Sequence, residues 1–243
     1  MGKTCRFTCR ETVDRLSSLL SSRYVIARLW YVSIAVVVVA ALVIQVIIAV
    51  QAPGSPSGHA VGTLAGGSLF TRLVRLFSFF TIQSNILSAI VAAQLARDTG
   101  RDGRSWRVLR LGALVGITVT GVVYSTVLAR LHEPKGSAQV TTNAVFHYFV
   151  PLLMVLGWLL FGPRPRITRW VVVLMLIWPL LWMGYTLGHG AASKWYPYPF
   201  VDVATHGYRR VLVNAVLVAV VCVLVGALYA FGDRKLPATD PSY

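Results

Sequence analysis

Acidic side chains are scarce in this chain: 8 Asp and Glu stand against 23 Lys and Arg in 243 residues. Charged residues of both signs reach 13%, about half the share of a soluble domain. No acid falls inside a long apolar run, which argues against proton-coupled transport, because intramembrane relays use carboxylates. Cysteine is equally sparse. Cys5 and Cys9 form a C-x3-C pair in the charged N-terminal tail and Cys222 lies mid-run, so there is neither a disulfide framework nor a zinc ligand set. No internal repeat supports an inverted-repeat transporter, and no G-x-S-x-G elbow marks a soluble hydrolase.

Apolar length is what the chain has. Hydrophobic residues make up 56% and mean hydropathy is +0.67, the composition of a membrane protein. Six segments are long enough to span, at about 25–50, 71–95, 107–130, 143–162, 168–188 and 209–231. The expected fold is all-α: a polytopic bundle of six transmembrane helices between a basic tail (1–24) and a short C-terminal tail (232–243). The first segment is too long for a signal-peptide core and lacks a small-residue cleavage site, so it reads as a retained span.

The net charge of +15 does not point to nucleic acid, because the cations flank the apolar runs instead of forming one basic face. Lys3, Arg6, Arg10, Arg15, Arg23 and Arg28 precede the first span. Arg97, Arg101, Arg104 and Arg107 join the second to the third, Arg164, Arg166 and Arg169 the fourth to the fifth, and Arg234 and Lys235 follow the sixth. The alternate connections are poor in Lys and Arg. The positive-inside rule then places both termini in the cytoplasm, with Arg72, Arg75, Arg209 and Arg210 as exceptions. The N-terminal Met-Gly is followed by Arg6 where a myristoylation signal has Ser or Thr, so the tail reads as a basic segment lying on anionic lipid.

Polar residues gather in the second span. Ser78, Thr81, Asn85 and Ser88 are spaced 3, 4 and 3, which puts them on one face of a straight helix. Such a stripe must face the bundle interior, as interhelical packing or as a site. In the fourth span His147 is ionisable, with Asn143 one turn before it and Pro151 one turn after, where proline is expected to kink the helix and open space beside the imidazole. Helix rise puts Thr81 and His147 roughly 15 Å and 10 Å below the outer surface. Tyr124 and Ser125, Tyr185 and His189, and Asp202 and His206 are expected at the same end, around a cavity open outward or toward lipid.

A threonine hydroxyl beside a histidine is a nucleophile–base pair for attack on a carbonyl. Asp202, His206 or Asn143 could orient the imidazole. Asn85, Ser84, Tyr124 or Tyr185 could donate to an oxyanion. The stretches "FFTIQSNIL", "HYFVP" with its following "WLLF", and "WYPYPFVDV" resemble the bacterial relatives of the androgen-induced and androgen-dependent membrane hydrolases, over residues 25–231. That family comprises multi-pass threonine hydrolases, and its human members cleave fatty acid esters of hydroxy fatty acids (FAHFAs). The resemblance implies Thr81 as nucleophile and His147 as its partner, a long-chain lipid ester as substrate, membrane lipids as surroundings, and no metal or cofactor. It also implies a multi-pass protein of a bacterial plasma membrane.

Two rival readings belong beside it. Five histidines (His59, His132, His147, His189 and His206) could supply two axial haem ligands, but only His147 is clearly within a span. A lipid-binding or transport protein without chemistry would use the same polar layer as a binding site.

Overall fold

The computed structural model describes the backbone of residues 4–54, 61–131 and 134–239, with side chains from residue 22 onward. The side chains of Cys5 and Cys9, and residues His59 and His132, lie outside the described residues. The fold is all-helical there: α1 (Thr4–Gln51), α2 (Leu69–Ser78), α3 (Phe80–Arg97), α4 (Arg104–Val123), α5 (Gly136–Ala144), α6 (Val150–Phe161), α7 (Arg169–Leu174), α8 (Ile177–Ser193) and α9 (Val203–Lys235). Five spans are long and apolar enough to cross a membrane, and α2 with α3 makes a sixth if the bent pair is one crossing.

That bend corrects the expectation of a straight second span. The helix breaks at Phe79, which holds an extended φ of −68° and ψ of 129°, and α2 and α3 meet at 72°. No glycine or proline causes the break. The backbone groups it frees are taken up by distant side chains instead. Trp182 Nε1–H donates to the Ser78 carbonyl (2.9 Å), and the Thr81 amide donates to the Tyr198 hydroxyl (3.1 Å). The polar stripe is therefore split. Ser78 stays on α2, while Thr81, Ser84, Asn85 and Ser88 are buried on α3.

Pro151 acts differently from expectation too. Its missing N–H leaves the His147 carbonyl without an α-helical partner, and the chain runs through a π-helical turn at Val145–Phe149 between α5 and α6. A matching π turn, Tyr124–Leu128, ends α4 alongside it. Gly121 allows this approach, since a Cβ there would sit 3.0 Å from Pro151 Cβ and 3.2 Å from the His147 carbonyl oxygen. The fifth span is interrupted at Met175–Leu176, four residues before Pro179, which cannot donate to the Met175 carbonyl.

The core lies between α1, α3, α4 and α6, where Ile34, Val38, Val91, Ala113, Ile117 and Val150 are fully buried. Small residues set the close approaches, as membrane helices require. Tyr31 donates to the Gly157 carbonyl (3.0 Å) and Trp30 to the Leu153 carbonyl (3.1 Å). Val36, Val39 and Val43 on α1, and Leu217, Leu224 and Leu228 on α9, face outward as apolar surface suited to lipid.

The two ends of the bundle differ. One carries the arginine-rich connections, where Arg110 reaches the carbonyls of Gly162 and Pro163, and Arg164 those of Trp158, Leu159 and Pro237. The buried Asp233 accepts from the amides of Arg166 (2.5 Å) and Ile167 (2.7 Å). The other is built by the loops after α1 and α8, joined where the Gly62 amide meets the Tyr196 carbonyl (3.1 Å) and Trp195 donates to the Thr63 carbonyl (2.9 Å).

Candidate functional site

Thr81 occupies the first turn of α3, immediately after the break, and is 8% exposed. Its Oγ1 lies 3.3 Å from His147 Nε2 and 3.1 Å from the Tyr198 hydroxyl. The two residues are 66 positions apart, brought together by the packing of α3 against the π turn that carries His147. Counted from the arginine-rich end, Thr81 stands 16 residues above Arg97 and His147 stands 14 above Phe161. At 1.5 Å per residue these are about 24 Å and 21 Å, so the two share a level near the loop end of a core roughly 30 Å thick.

The imidazole is fixed on its other side by main chain. His147 Nδ1 lies 3.0 Å from the Asn143 carbonyl oxygen, one turn earlier on the same helix. A carbonyl only accepts, so Nδ1 carries a proton, and in the neutral imidazole Nε2 then presents a lone pair to Thr81. Tyr124 lies flat on the ring, with centroids 3.8 Å apart and planes 22° apart. Its hydroxyl accepts from Asn143 Nδ2 (2.7 Å), which ties the stacking residue to the helix that presents the histidine.

The protons around Thr81 form a directed chain. The Thr81 amide donates to the Tyr198 oxygen, Tyr198 O–H donates to Thr81 Oγ1, and the Thr81 hydroxyl donates to His147 Nε2. With the imidazole neutral, every group in the chain has a defined role. Burial pushes the Tyr198 hydroxyl up to about 12, although the hydrogen bonds from Thr81 and the Phe80 amide pull the other way, so it is a neutral donor at ordinary pH.

The remaining expected residues divide clearly. Asn85 donates to the carbonyls of Thr81 (2.9 Å) and Phe146 (3.4 Å), so it braces both halves of the pair. Ser84 is fully buried against Gly116 of α4 and its Oγ makes no hydrogen bond among the described residues. Tyr185 bonds Ser78 (2.7 Å) and stacks on His189, away from Thr81. Asp202 caps α9, accepting from the Ala204 amide (2.9 Å) and the Thr205 hydroxyl (2.6 Å), so both oxygens serve the helix terminus instead of an imidazole. His206 sits one turn into α9, its amide on the Asp202 carbonyl (3.0 Å). Ser125 is exposed and bonds the Gly121 carbonyl (2.8 Å).

Tyr198 is the residue that sequence reasoning passed over. It is one of several rings in the loop "WYPYPF", and no spacing separates it from Tyr196 or Phe200. Only the fold brings it onto Thr81, 117 residues away. A cavity of about 430 Å³ opens on the face of Thr81 away from His147, lined by α3, α4, α8 and α9 together with Tyr198 and Phe200. Among the described residues no three His, Cys, Asp or Glu side chains gather as metal ligands.

Compared with known proteins, no family model matches this chain, and no curated protein or solved structure matches it significantly.

Proposed function

We propose that this protein is an intramembrane hydrolase of long-chain lipid esters, with Thr81 as nucleophile and His147 as general base. The observation that carries the reading is the 3.3 Å approach of Thr81 Oγ1 to a His147 Nε2 whose opposite nitrogen is held by a carbonyl. This is the geometry an activated hydroxyl needs: a base within reach and a third group that fixes its tautomer. The resemblance to the membrane threonine hydrolases of FAHFA-type lipids agrees with it residue by residue at Thr81 and His147. Membrane character and an apolar cavity beside the hydroxyl favour a lipid ester over a water-soluble one.

In the reaction proposed, Oγ1 attacks the ester carbonyl carbon while its proton passes to Nε2. The tetrahedral intermediate collapses as the C–O bond to the alcohol breaks, and the imidazolium returns its proton to the departing oxygen. Water, deprotonated by the same Nε2, then attacks the Thr81 acyl ester, and as the bond from the acyl carbon to Oγ1 breaks the imidazolium returns that proton to Oγ1 and the fatty acid leaves. Two groups support the oxyanion. The Tyr198 O–H, whose acceptor Oγ1 becomes an ester oxygen on attack, would turn to the oxyanion, and the positive end of the α3 dipole lies on the same side. Tyr124 holds the base in place by stacking on its ring, and Asn143 by accepting from Nδ1 through its carbonyl.

The arginine-rich end is assigned to the cytoplasm by the positive-inside rule, in a plasma membrane. Six spans, with the bent α2–α3 pair read as one crossing, agree with both termini lying on that side. The site then lies near the outer leaflet. A second reading, lipid binding without chemistry, draws on the cavity alone.

Labelling with a fluorophosphonate separates the two readings. The hydrolase reading expects adduct on Thr81, mapped by peptide mass spectrometry, and its loss in His147→Ala. A folded protein that hydrolyses no lipid ester and takes no label is a binding protein, and Thr81 is then a packing residue.

A further inference from the structure

We infer that the cavity beside Thr81 is the acyl-chain site of the lipid ester, entered sideways from the bilayer, and that Ala219 with Cys222 on α9 sets the length of chain admitted. The inference rests on the hydrolase reading of Thr81 and names the group which that site accepts.

The cavity runs from the level of Tyr198 toward the arginine-rich end. Along α9 its wall extends from Leu212 to Cys222, ten residues or about 15 Å. An extended chain advances about 1.2 Å per bond, as the peptide backbone does at ~3.6 Å per three bonds, so this length takes on the order of a dozen carbons. Three of the six lining residues of α9 are small, Ala215, Ala219 and Cys222, at spacings of 4 and 3, between Leu212, Val216 and Val218. Below Cys222 the space closes, because Met175 Cε packs on Gly226, 2.8 Å from where a Cβ would stand. A bulkier residue at 219 would raise that floor by one helical turn.

The mouth faces lipid. Leu180, Leu212 and Val216 line the cavity and are also 58%, 52% and 62% exposed on the flank of the bundle between α8 and α9. The loop end is covered by Tyr198 and Phe200, whose rings stack at 5.3 Å and 8°. An ester dissolved in the bilayer would therefore reach Thr81 without leaving hydrocarbon.

A second observation points to a ligand. Thr120 also lines the cavity, is 5% exposed, and its Oγ1 has no hydrogen-bond partner among the described residues. A buried hydroxyl left in this state costs free energy that a ligand oxygen would recover. Its level is fixed by packing. Gly116 faces Ser84, and α3 and α4 run in opposite directions, so one turn onward Thr120 stands level with Phe80 and Thr81. The carbonyl oxygen of an ester held for attack by Thr81 belongs at that height.

The experiment uses the full chain in lipid nanodiscs and nitrophenyl esters of butyric, octanoic, lauric and palmitic acids. Ala219→Phe is expected to lower the lauroyl-to-butyryl ratio of kcat/KM at least tenfold, while Val220→Phe, on the exposed face of the same helix, keeps the wild-type ratio. A wild-type ratio in Ala219→Phe overturns the inference and leaves the hydrolase reading standing. If the wild type turns over no ester, the hydrolase reading fails by itself. The cavity is then read by brominated lauric acid, which should quench Trp182 in the wild type, compared with Trp182→Phe, and less so in Ala219→Phe. Equal quenching in wild type and Ala219→Phe overturns the acyl-site inference on that arm as well.

Discussion

The two ends of this bundle bury polar groups in opposite ways. At the arginine-rich end the buried groups are ions. Arg110 and Arg164 are 7% and 4% exposed, and each is answered mainly by backbone carbonyls, with Asp233 as the buried acid. At the loop end the buried groups around Thr81 are neutral hydroxyls, amides and an imidazole. Charge held by many fixed carbonyls ties connections to helix ends and cannot move. A neutral chain of single donors has one proton to pass along. The contrast separates what holds the fold from what could react, and substitutions at the two ends should fail in different assays.

The largest effect is expected at the neutral end. Thr81→Ala and His147→Ala should each lower ester turnover by about three orders of magnitude or more, with thermal stability nearly unchanged, as for paired catalytic groups. Turnover like the wild type in either variant removes that residue from the chemistry. Tyr198→Phe should follow, with kcat down on the order of a hundredfold and little change in KM, since it removes one oriented donor and leaves the ring packing.

The charged end should show the reverse pattern. Asp233→Ala leaves two buried amides without an acceptor and should cost about 2–4 kcal/mol, read as a lowered Tm, while protein that remains folded retains its kcat. Asn143→Ala sharpens the contrast further. The partner of His147 is the main-chain carbonyl, which alanine keeps, so kcat should change less than about tenfold. A far larger loss would show that the Asn143 amide, through Tyr124, holds the imidazole more firmly than the carbonyl does.

The smallest effect concerns pH. A hydrogen bond from Arg107 holds the Asp102 carboxyl below its ordinary value, with Arg166 also nearby. A depressed folded pKa means stability that is present above the unfolded value of about 4 and fades as pH falls further. The pair is partly exposed, so the loss should stay under about 1 kcal/mol and should vanish in Asp102→Asn.

Much of the architecture could be read from hydropathy, because 20-residue apolar runs leave a chain in lipid few other choices. The residues 25–50 and 209–231 fall within single helices, and 107–130 and 143–162 match the helical runs Arg104–Leu128 and Gly136–Phe161 to within two residues at their C-terminal ends. The break at Phe79 could not be read, since its causes, Trp182 and Tyr198, lie more than 100 residues away. Proline was legible as a disturbance at Pro151, but a kink and a π turn both satisfy the lost donor, and packing against Gly121 decides between them. His147 stood out because imidazole is rare in apolar runs, and Thr81 through the polar stripe it shares with Ser78, Asn85 and Ser88 and the resemblance that pairs it with His147. Asp202 stood out as the loop acid nearest the site and proved to be a helix cap, a role its following Ala204 and Thr205 amides define locally.

The break at Phe79 also orders events in time. Synthesis delivers Thr81 early, yet the side chains that hold the break open arrive only with residues 182 and 198. A nascent chain that has threaded its first four spans holds Thr81 and His147 but neither Trp182 nor Tyr198. The turn that carries Thr81 acquires its bent form, and the Tyr198 hydroxyl beside it, only when the fifth span and the loop behind it have emerged. The hydrogen-bonded form of the Thr81 turn is thus tied to completion of the bundle.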